Sequence, residues 1–484
     1  MKPYYPVVRV FGVLLIAFSA ALLVPLSISW WLHDGAESAY DEAYLLTFCT
    51  GIGLWWSARR ERGDLKVRDG FLMVVLVWTV LPVFACLPFI FHLGISFTDA
   101  YFEAVSGLTT TGSTVIPNLD KLPPSINFWR GFLVWLGGMG LIVLAVAVLP
   151  LLGIGGRQMF KAEAPGPMKE SSLTPRMAET AKGLWVVYAA ITAACILSFR
   201  WGGMNWLDAF VHSFSVMGLG GFSSHDASFG HFDSPLLEGI AIFFMLIASL
   251  NFATHYLAIH GRSLRAYRQD PEAGWVIATL LGSVLFIALF LHANNVYPDF
   301  GTALRHSAFN VVSIASTTGL ATVDYNLWPM FAPLWMLFLC SFATSAGSTG
   351  GGIKMIRALI LYKQVYRELV RAMHPNAVWP VRIQGEPVPQ NILTAVLAFG
   401  FAYMCLIVAM TLLLSFSGLE IVTAFSAVVA SINNTGPGLN QVGPSTTYEV
   451  LTDFQTWVCT AAMLLGRLEI FTLLVVFTPA FWRR

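Results

Sequence analysis

Charge is what this sequence holds least of. Lysine, arginine, aspartate and glutamate make up 11% of its 484 residues, against about 25% in an ordinary soluble domain. A chain so poor in charge cannot cover a water-facing surface, so most of its exterior faces lipid. Cysteine is sparse too: Cys49, Cys86, Cys195, Cys340, Cys405 and Cys459 lie one apiece in different apolar segments. None forms a CxxC pair, which argues against a disulfide framework or a thiolate metal site and leaves buried thiols. Catalytic groupings are missing as well. No serine or cysteine nucleophile has a base partner in view, and the apolar segments hold no recognisable set of catalytic acids, so an enzyme is not expected. His212, His225, His255, His260 and His306 fall in no metal-ligand pattern. Gly347 and Gly352 have the spacing of a phosphate-binding loop, but Ile353 stands where the lysine belongs and no strand precedes it. Neither a nucleotide site nor a nucleic-acid partner is expected.

What is abundant is apolar length. Hydrophobic residues make up 56% of the chain and mean hydropathy is +0.68. Runs of about 18 or more apolar residues cross a bilayer as helices. Reading them in order predicts ten spans: Val7–Leu32, Tyr40–Ala58, Phe71–Leu93, Phe128–Leu152, Gly183–Phe199, Leu236–His260, Gly274–His292, Met330–Arg371, Asn391–Ser415 and Phe454–Trp482. The first is too long for a cleaved signal peptide and is expected to stay. A connector, Gly153–Lys182, carries Pro165, Pro167 and Pro175.

Four short stretches between these spans share one pattern. Thr110-Thr111-Gly112, Leu219-Gly220-Gly221, Thr317-Thr318-Gly319 and Asn434-Thr435-Gly436 each follow about a dozen residues of helical character and precede polar loop residues. Ala100, Ala209 and Ala424 lie twelve residues before Gly112, Gly221 and Gly436; the third repeat is the loosest match. Twelve helical residues run roughly 18 Å, about half a bilayer. That predicts a helix dipping halfway in and a loop climbing out, with Asp99, Asp208 or Thr423 near the helix start as caps. The fold expected is an all-α polytopic membrane protein. Two amino-terminal spans (1–69) precede four pseudo-repeats of span, pore helix, filter loop and span, bounded at 70–156, 157–260, 261–371 and 372–484. Four such loops meeting at an axis make a ring of backbone carbonyls, the construction of a cation filter.

Lysine and arginine set the orientation. With a cytoplasmic amino terminus, 22 of the 28 fall inside, while Lys121, Arg130, Arg200 and Arg305 fall outside and Lys354 and Arg467 lie within the membrane. Every re-entrant loop then opens outward, and each short helix points its partly negative carboxyl end at the bilayer centre, favouring a cation there. Asp120, Asp226, Asp233, Asp324 and Glu449 add negative charge at the mouth.

These residues carry a family resemblance. The repeated unit, with LTTTGSTVIPNLDKLP, WLGGMGLIVLAVAVLPLLGIGG, MGLGGFSSHDASFG, SAGSTGGGIKMIR, NNTGPGLN and GRLEIFTLL, resembles the Trk/Ktr/HKT superfamily of K⁺ transporters, and most nearly its bacterial TrkH/TrkG type. The likeness runs over essentially the whole chain. It implies K⁺ uptake across a bacterial inner membrane with both termini cytoplasmic, a homodimer in lipid, and a cytosolic TrkA-like ring that binds nucleotide. Relatives that admit Na⁺ well often carry serine at the first filter glycine; here all four positions are glycine. No repeat has the full TVGYG of a K⁺ channel, and the second loop lacks threonine hydroxyls, which predicts weaker K⁺/Na⁺ discrimination than in such a channel. Passive flow and H⁺- or Na⁺-coupled symport both stay open, as does a subunit that binds a cation without passing it.

Two further features belong beneath such a filter. The run Gly347, Ser348, Thr349, Gly350, Gly351, Gly352 should break its helix, and the resemblance makes it, with Lys354, an intramembrane gate. Arg467 sits mid-span, where a charge costs at least ~2.5 kcal/mol and must face the interior. It either pairs with Glu469, caps freed carbonyls, or stands as a positive barrier in the path.

Overall fold

The computed structural model describes residues 4–60, 67–143 and 173–483. Helices account for nearly all regular structure; the strands among these residues are one antiparallel pair, Arg382–Ile383 with Glu386–Pro387. The first two helices, Tyr5–Leu32 and Glu37–Ala58, form a hairpin. Small residues let them close up: a Cβ on Gly12 would lie 2.9 Å from the Gly51 carbonyl oxygen, and one on Gly51 would lie 3.0 Å from that of Gly12. Such small-residue contacts bring helices together in lipid, where no hydrophobic force does so. Asp34 in the turn ties the hairpin to the repeats, accepting from the Ser125 N–H at 2.9 Å.

Among the described residues, five helices are long and apolar enough to cross a membrane, seven if each of two bent pairs counts as one span. Three of the ten expected spans fall outside that count: the more polar Glu37–Ala58, Pro124–Val143, and the broken third return. The end of the fourth expected span, 144–152, and the connector as far as residue 172 lie outside the described residues. The last part of that connector is helical, since Leu173–Trp201 is one helix.

Two return spans read as continuous are in fact broken. The second bends by 94° between Pro235–Ala248 and Phe252–His260, and the fourth by 105° between Asp453–Arg467 and Phe471–Phe477. Tertiary contacts decide the first break. The Ser249 carbonyl accepts from Ser345 N–H at 2.9 Å, and the Phe252 N–H donates to the Gly347 carbonyl at 3.1 Å. Asn251 then caps the new helix, accepting from Ala253 N–H at 2.8 Å. At the second break Glu469 and Ile470 both have positive φ, 51° and 56°, an outlier for a β-branched residue. The third return breaks where its glycines foretell, between Phe331–Cys340 and Met355–Met373.

The four short helices are Phe97–Leu108, Trp206–Gly218, Phe300–Ala315 and Ile421–Ile432. Their caps are Ser96, Asn205, Asp299 and Glu420, each accepting from backbone N–H groups two or three residues on. Asp99, Asp208 and Thr423, expected as caps, sit inside the first turn instead. The corrected caps explain the loose third repeat. Sixteen residues separate Ser96 from Gly112, Asn205 from Gly221 and Glu420 from Gly436, but twenty separate Asp299 from Gly319. The third helix is one turn longer.

Candidate functional site

All four short helices stop in one way. Thr110, Leu219, Thr317 and Asn434 take left-handed backbone, with φ of 55°, 52°, 65° and 54°. The next residue's N–H then reaches back five residues, Thr111 to Ser106, Gly220 to Ser215, Thr318 to Ser313 and Thr435 to Ala430, at 2.8 to 2.9 Å. This is a Schellman ending, usually built on glycine. Here threonine, leucine and asparagine occupy it, at roughly 1–3 kcal/mol each where such strain is held by the surroundings.

The glycines come two residues later and close a ring. Gly112, Gly319 and Gly436 are left-handed at φ 83°, 84° and 100°, while Gly221 is outside that region. All four nonetheless need their missing side chain. A Cβ on Gly112 would run into the Gly221 backbone nitrogen, and one on Gly221 would lie 2.8 Å from the Gly319 carbonyl. One on Gly319 would strike the Thr435 carbonyl oxygen, and one on Gly436 would lie 2.7 Å from that of Thr111. The loops therefore abut in the order one, two, three, four and back to one. Side chains bind the seam between the fourth and first loops: Asn434 Nδ2 donates to Thr111 Oγ1 at 3.0 Å and Ser113 to the Gly436 carbonyl at 2.9 Å, a carbonyl that also accepts from Tyr448 of its own repeat at 2.9 Å. The twelve residues expected to form the filter are thus brought together.

A second tier braces the ring and was not singled out in the sequence. Nine residues before the ring glycine stand Glu103, His212, Asn310 and Ala427. The three polar ones each hold the outgoing limb of their own loop. Glu103 accepts from Val115 N–H at 3.0 Å, His212 Nε2 meets Ser223 Oγ at 2.9 Å, and Asn310 Nδ2 donates to Thr322 Oγ1 at 2.8 Å. Counting back from the glycines would have found them. Glu103 is also paired, at 2.8 Å, with Arg130, and both are buried. Arg130 reaches on to the Ser223 carbonyl at 2.9 Å, joining the first two loops. Breaking a buried pair strands a charge at about 3–5 kcal/mol. Arg130→Ala should therefore lower unfolding free energy in detergent by that order, and Arg130→Met with Glu103→Leu should regain most of it. A double variant no more stable than Arg130→Ala would refute the stranded-charge account.

Beneath the ring lies the glycine-rich loop. Thr349 Oγ1 donates to the Met217 carbonyl at 3.0 Å, under the second loop, and Gly351 N–H to Thr317 Oγ1 at 2.9 Å, under the third. A Cβ on Gly351 would collide with the Asn433 carbonyl, under the fourth. Lys354 Nζ donates to the Gly350 carbonyl. Arg467, 2% exposed, donates to the Thr349 carbonyl and the Gly137 carbonyl, both at 3.0 Å. Its pairing with Glu469 does not occur: Glu469 pairs with Arg357 at 2.6 Å. One residue outside the sequence reading holds the loop at both ends. Buried Glu272 accepts from Ala346 N–H at 3.1 Å and from Ile356 N–H at 2.8 Å.

Above the ring, at the outer limb, Asp120 and His225 meet at 2.5 Å. Burial opposes ionisation of Asp120, yet hydrogen bonds from His225 and Asp226 outweigh it and hold its carboxyl below the usual range. Burial likewise opposes the charge on His225, and Asp208 with Asp120 outweighs it and raises that imidazole.

A ring of four pseudo-equivalent loops, each on the carboxyl end of a half-length helix, is a distinctive arrangement, and known proteins share it. Residues 37–484 match the family described as "TrkH: Cation transport protein". The chain belongs to the TrkH family. It is 45% identical over 479 residues, 99% of each chain, to the Trk system potassium uptake protein TrkH of Salmonella typhimurium. It is 36% identical over 474 residues to the TrkG protein of Escherichia coli, covering 98% and 97% of the two. The crystal structure of the potassium transporter TrkH from Vibrio parahaemolyticus superposes with a TM-score of 0.92 at 42% identity, covering both chains completely. The membership extends over both the ring and the loop beneath it.

Proposed function

We propose that this chain takes up K⁺ across the bacterial inner membrane through the ring of Gly112, Gly221, Gly319 and Gly436. The observation that carries the reading is the closed order of contacts among the four loops. Backbone carbonyls around such a ring replace the ion's hydration water, and the carboxyl ends of four helices favour the cation. Its relatives' names, Trk system potassium uptake proteins, point the same way. The segment Gly347–Gly352, with Lys354 and Arg467, closes the path below the ring. Opening moves that segment aside.

Regulation comes from outside the chain, from a cytosolic TrkA-like nucleotide-binding ring, and the working unit is a homodimer in lipid. The docking surface is the basic inner face made by Arg157–Lys182, which lies outside the described residues as far as residue 172, and by Arg357–Arg382, which begins in the helix Met355–Met373. That helix exposes Tyr362, Val365, Tyr366 and Leu369 beside Arg357, Lys363, Arg367 and Arg371.

Two measurements test this. Purified protein in liposomes should accumulate Rb⁺ well above empty vesicles, and uptake no greater than in empty vesicles would refute transport. Purified protein alone should neither bind ATP or NADH tightly nor change flux with them. Tight binding would place the nucleotide site in this chain and remove the need for a partner.

A further inference from the structure

We propose that Asp120, His225 and His231 form a binding site for a first-row divalent transition metal ion, Zn²⁺ above all, on the outer limb of the first two repeats. Sequence spacing does not reveal it, because folding brings the residues together. Asp120 follows the first loop, in the turn Leu119–Lys121, while His225 and His231 follow the second. One ligand atom from each lies within 4.8 Å of the others. Metal–ligand bonds near 2.1 Å put tetrahedral ligands about 3.4 Å apart, so completing the site takes a closing shift of about an ångström and a turn of the His231 ring off the face of His225.

Each donor is prepared for the task. Asp120 spends one carboxylate oxygen on the Asp226 N–H, at 3.2 Å, leaving Oδ1 aimed at His225 Nδ1. The far side of that imidazole, Nε2, lies 3.2 Å from buried Asp208, itself held by Ser224 Oγ at 2.6 Å. A small turn of the ring brings that carboxylate into line behind the histidine, where it fixes the ring and strengthens it as a ligand, the usual outer support of a metal-bound imidazole. His231 stacks on His225 at 3.5 Å with the planes 1° apart. Both rings are backed edge-on by Phe232. His231 is exposed, so it is free to turn its nitrogen toward the ion. On binding, the proton shared by His225 and Asp120 leaves to water and the metal takes its place.

The donor set selects the ion. Two imidazoles and one carboxylate suit Zn²⁺, Cu²⁺ or Ni²⁺, whereas K⁺, Mg²⁺ and Ca²⁺ want oxygen. Three protein ligands leave a position for water, as in open zinc sites. His225 lies four residues from Gly221, at most about 14 Å along the chain, so a bound dication repels cations from the mouth. That consequence rests on the K⁺ reading; the binding itself does not.

The test uses tag-free, metal-stripped full-length protein. Calorimetric titration with ZnCl₂ should show one ion per chain at micromolar Kd, and Co²⁺ should give a tetrahedral visible spectrum. His231→Ala, at an exposed position, should weaken binding at least tenfold with an unchanged melting temperature. Asp208→Asn should weaken it by about tenfold or more, the size of effect known for such outer supports. In liposomes, outside Zn²⁺ should slow Rb⁺ uptake by the wild type and spare His231→Ala. No binding by the wild type, or equal binding by His231→Ala, overturns the site. Binding without slower uptake overturns its effect on the mouth and leaves the site standing.

Discussion

Arg467→Ala should raise K⁺ influx at least tenfold while K⁺/Na⁺ selectivity stays within about twofold of wild type. Arginine keeps its charge in a protein, and its five donors suit it to hold carbonyls. Here it donates to the Thr349 carbonyl of the glycine-rich segment proposed as the gate and to the Gly137 carbonyl of the first return helix. It therefore locks the segment to the wall and places a positive charge beneath the ring. A unit charge ~4 Å from a K⁺ repels it by about 4 kcal/mol at an effective dielectric near 20. Even a fraction of that exceeds the ~1.4 kcal/mol that changes a rate tenfold. Deleting Gly347–Gly352 should act in the same direction. Glu272→Gln, which weakens both anchors of the segment, should raise flux less. The measurement is Rb⁺ uptake into liposomes at matched protein density, with folding checked by melting. Flux at or below wild type in folded Arg467→Ala and in the deletion would remove the gate assignment.

Gly112→Ser and Gly319→Ala should each lower the K⁺/Na⁺ permeability ratio by about tenfold. Both glycines have left-handed backbone, and a Cβ on either would enter the backbone of the neighbouring loop. The conformational part alone costs about 1–2 kcal/mol per residue. The collision adds to it by pushing the next loop's carbonyls off the axis. Gly35→Ala separates the two contributions, because Gly35 has φ 84° with nothing within 4 Å of an added Cβ. That variant should lose a little stability and keep the wild-type ratio. An unchanged ratio in Gly112→Ser would remove Gly112 from the filter.

Why some of this was legible in sequence and some not follows from the range of the interactions. The spans, the short helices and the ring glycines are written locally, in apolar length and in a small-residue pattern repeated four times. The break at Gly347–Gly352 is local as well, since so many glycines cannot sustain a helix. The bend at Leu250 and Asn251 is different: its orphan backbone groups are satisfied by Ser345 and Gly347, almost a hundred residues away. Glu272 as the clamp of the glycine-rich segment is likewise remote from it in sequence, 74 and 84 residues from its two partners. The caps were misplaced by three residues because Asp99 and Asp208 are good helix starters one turn inside the true ends. Arg467 was legible as a buried charge that could cap carbonyls freed by the glycine run, and Thr349 is one of them; that Gly137 on the first return helix is the other was not legible, because any sequence presents backbone carbonyls.

The central claim, K⁺ passage through the four-loop ring, is met most directly by the reversal potential of purified protein in planar bilayers or patched liposomes under separate K⁺, Na⁺ and H⁺ gradients. The account predicts a potential that moves with the K⁺ gradient and moves much less with Na⁺, and a Na⁺ dependence that grows in Gly112→Ser. A current absent above bare lipid, or a potential indifferent to K⁺ in the wild type, would contradict it.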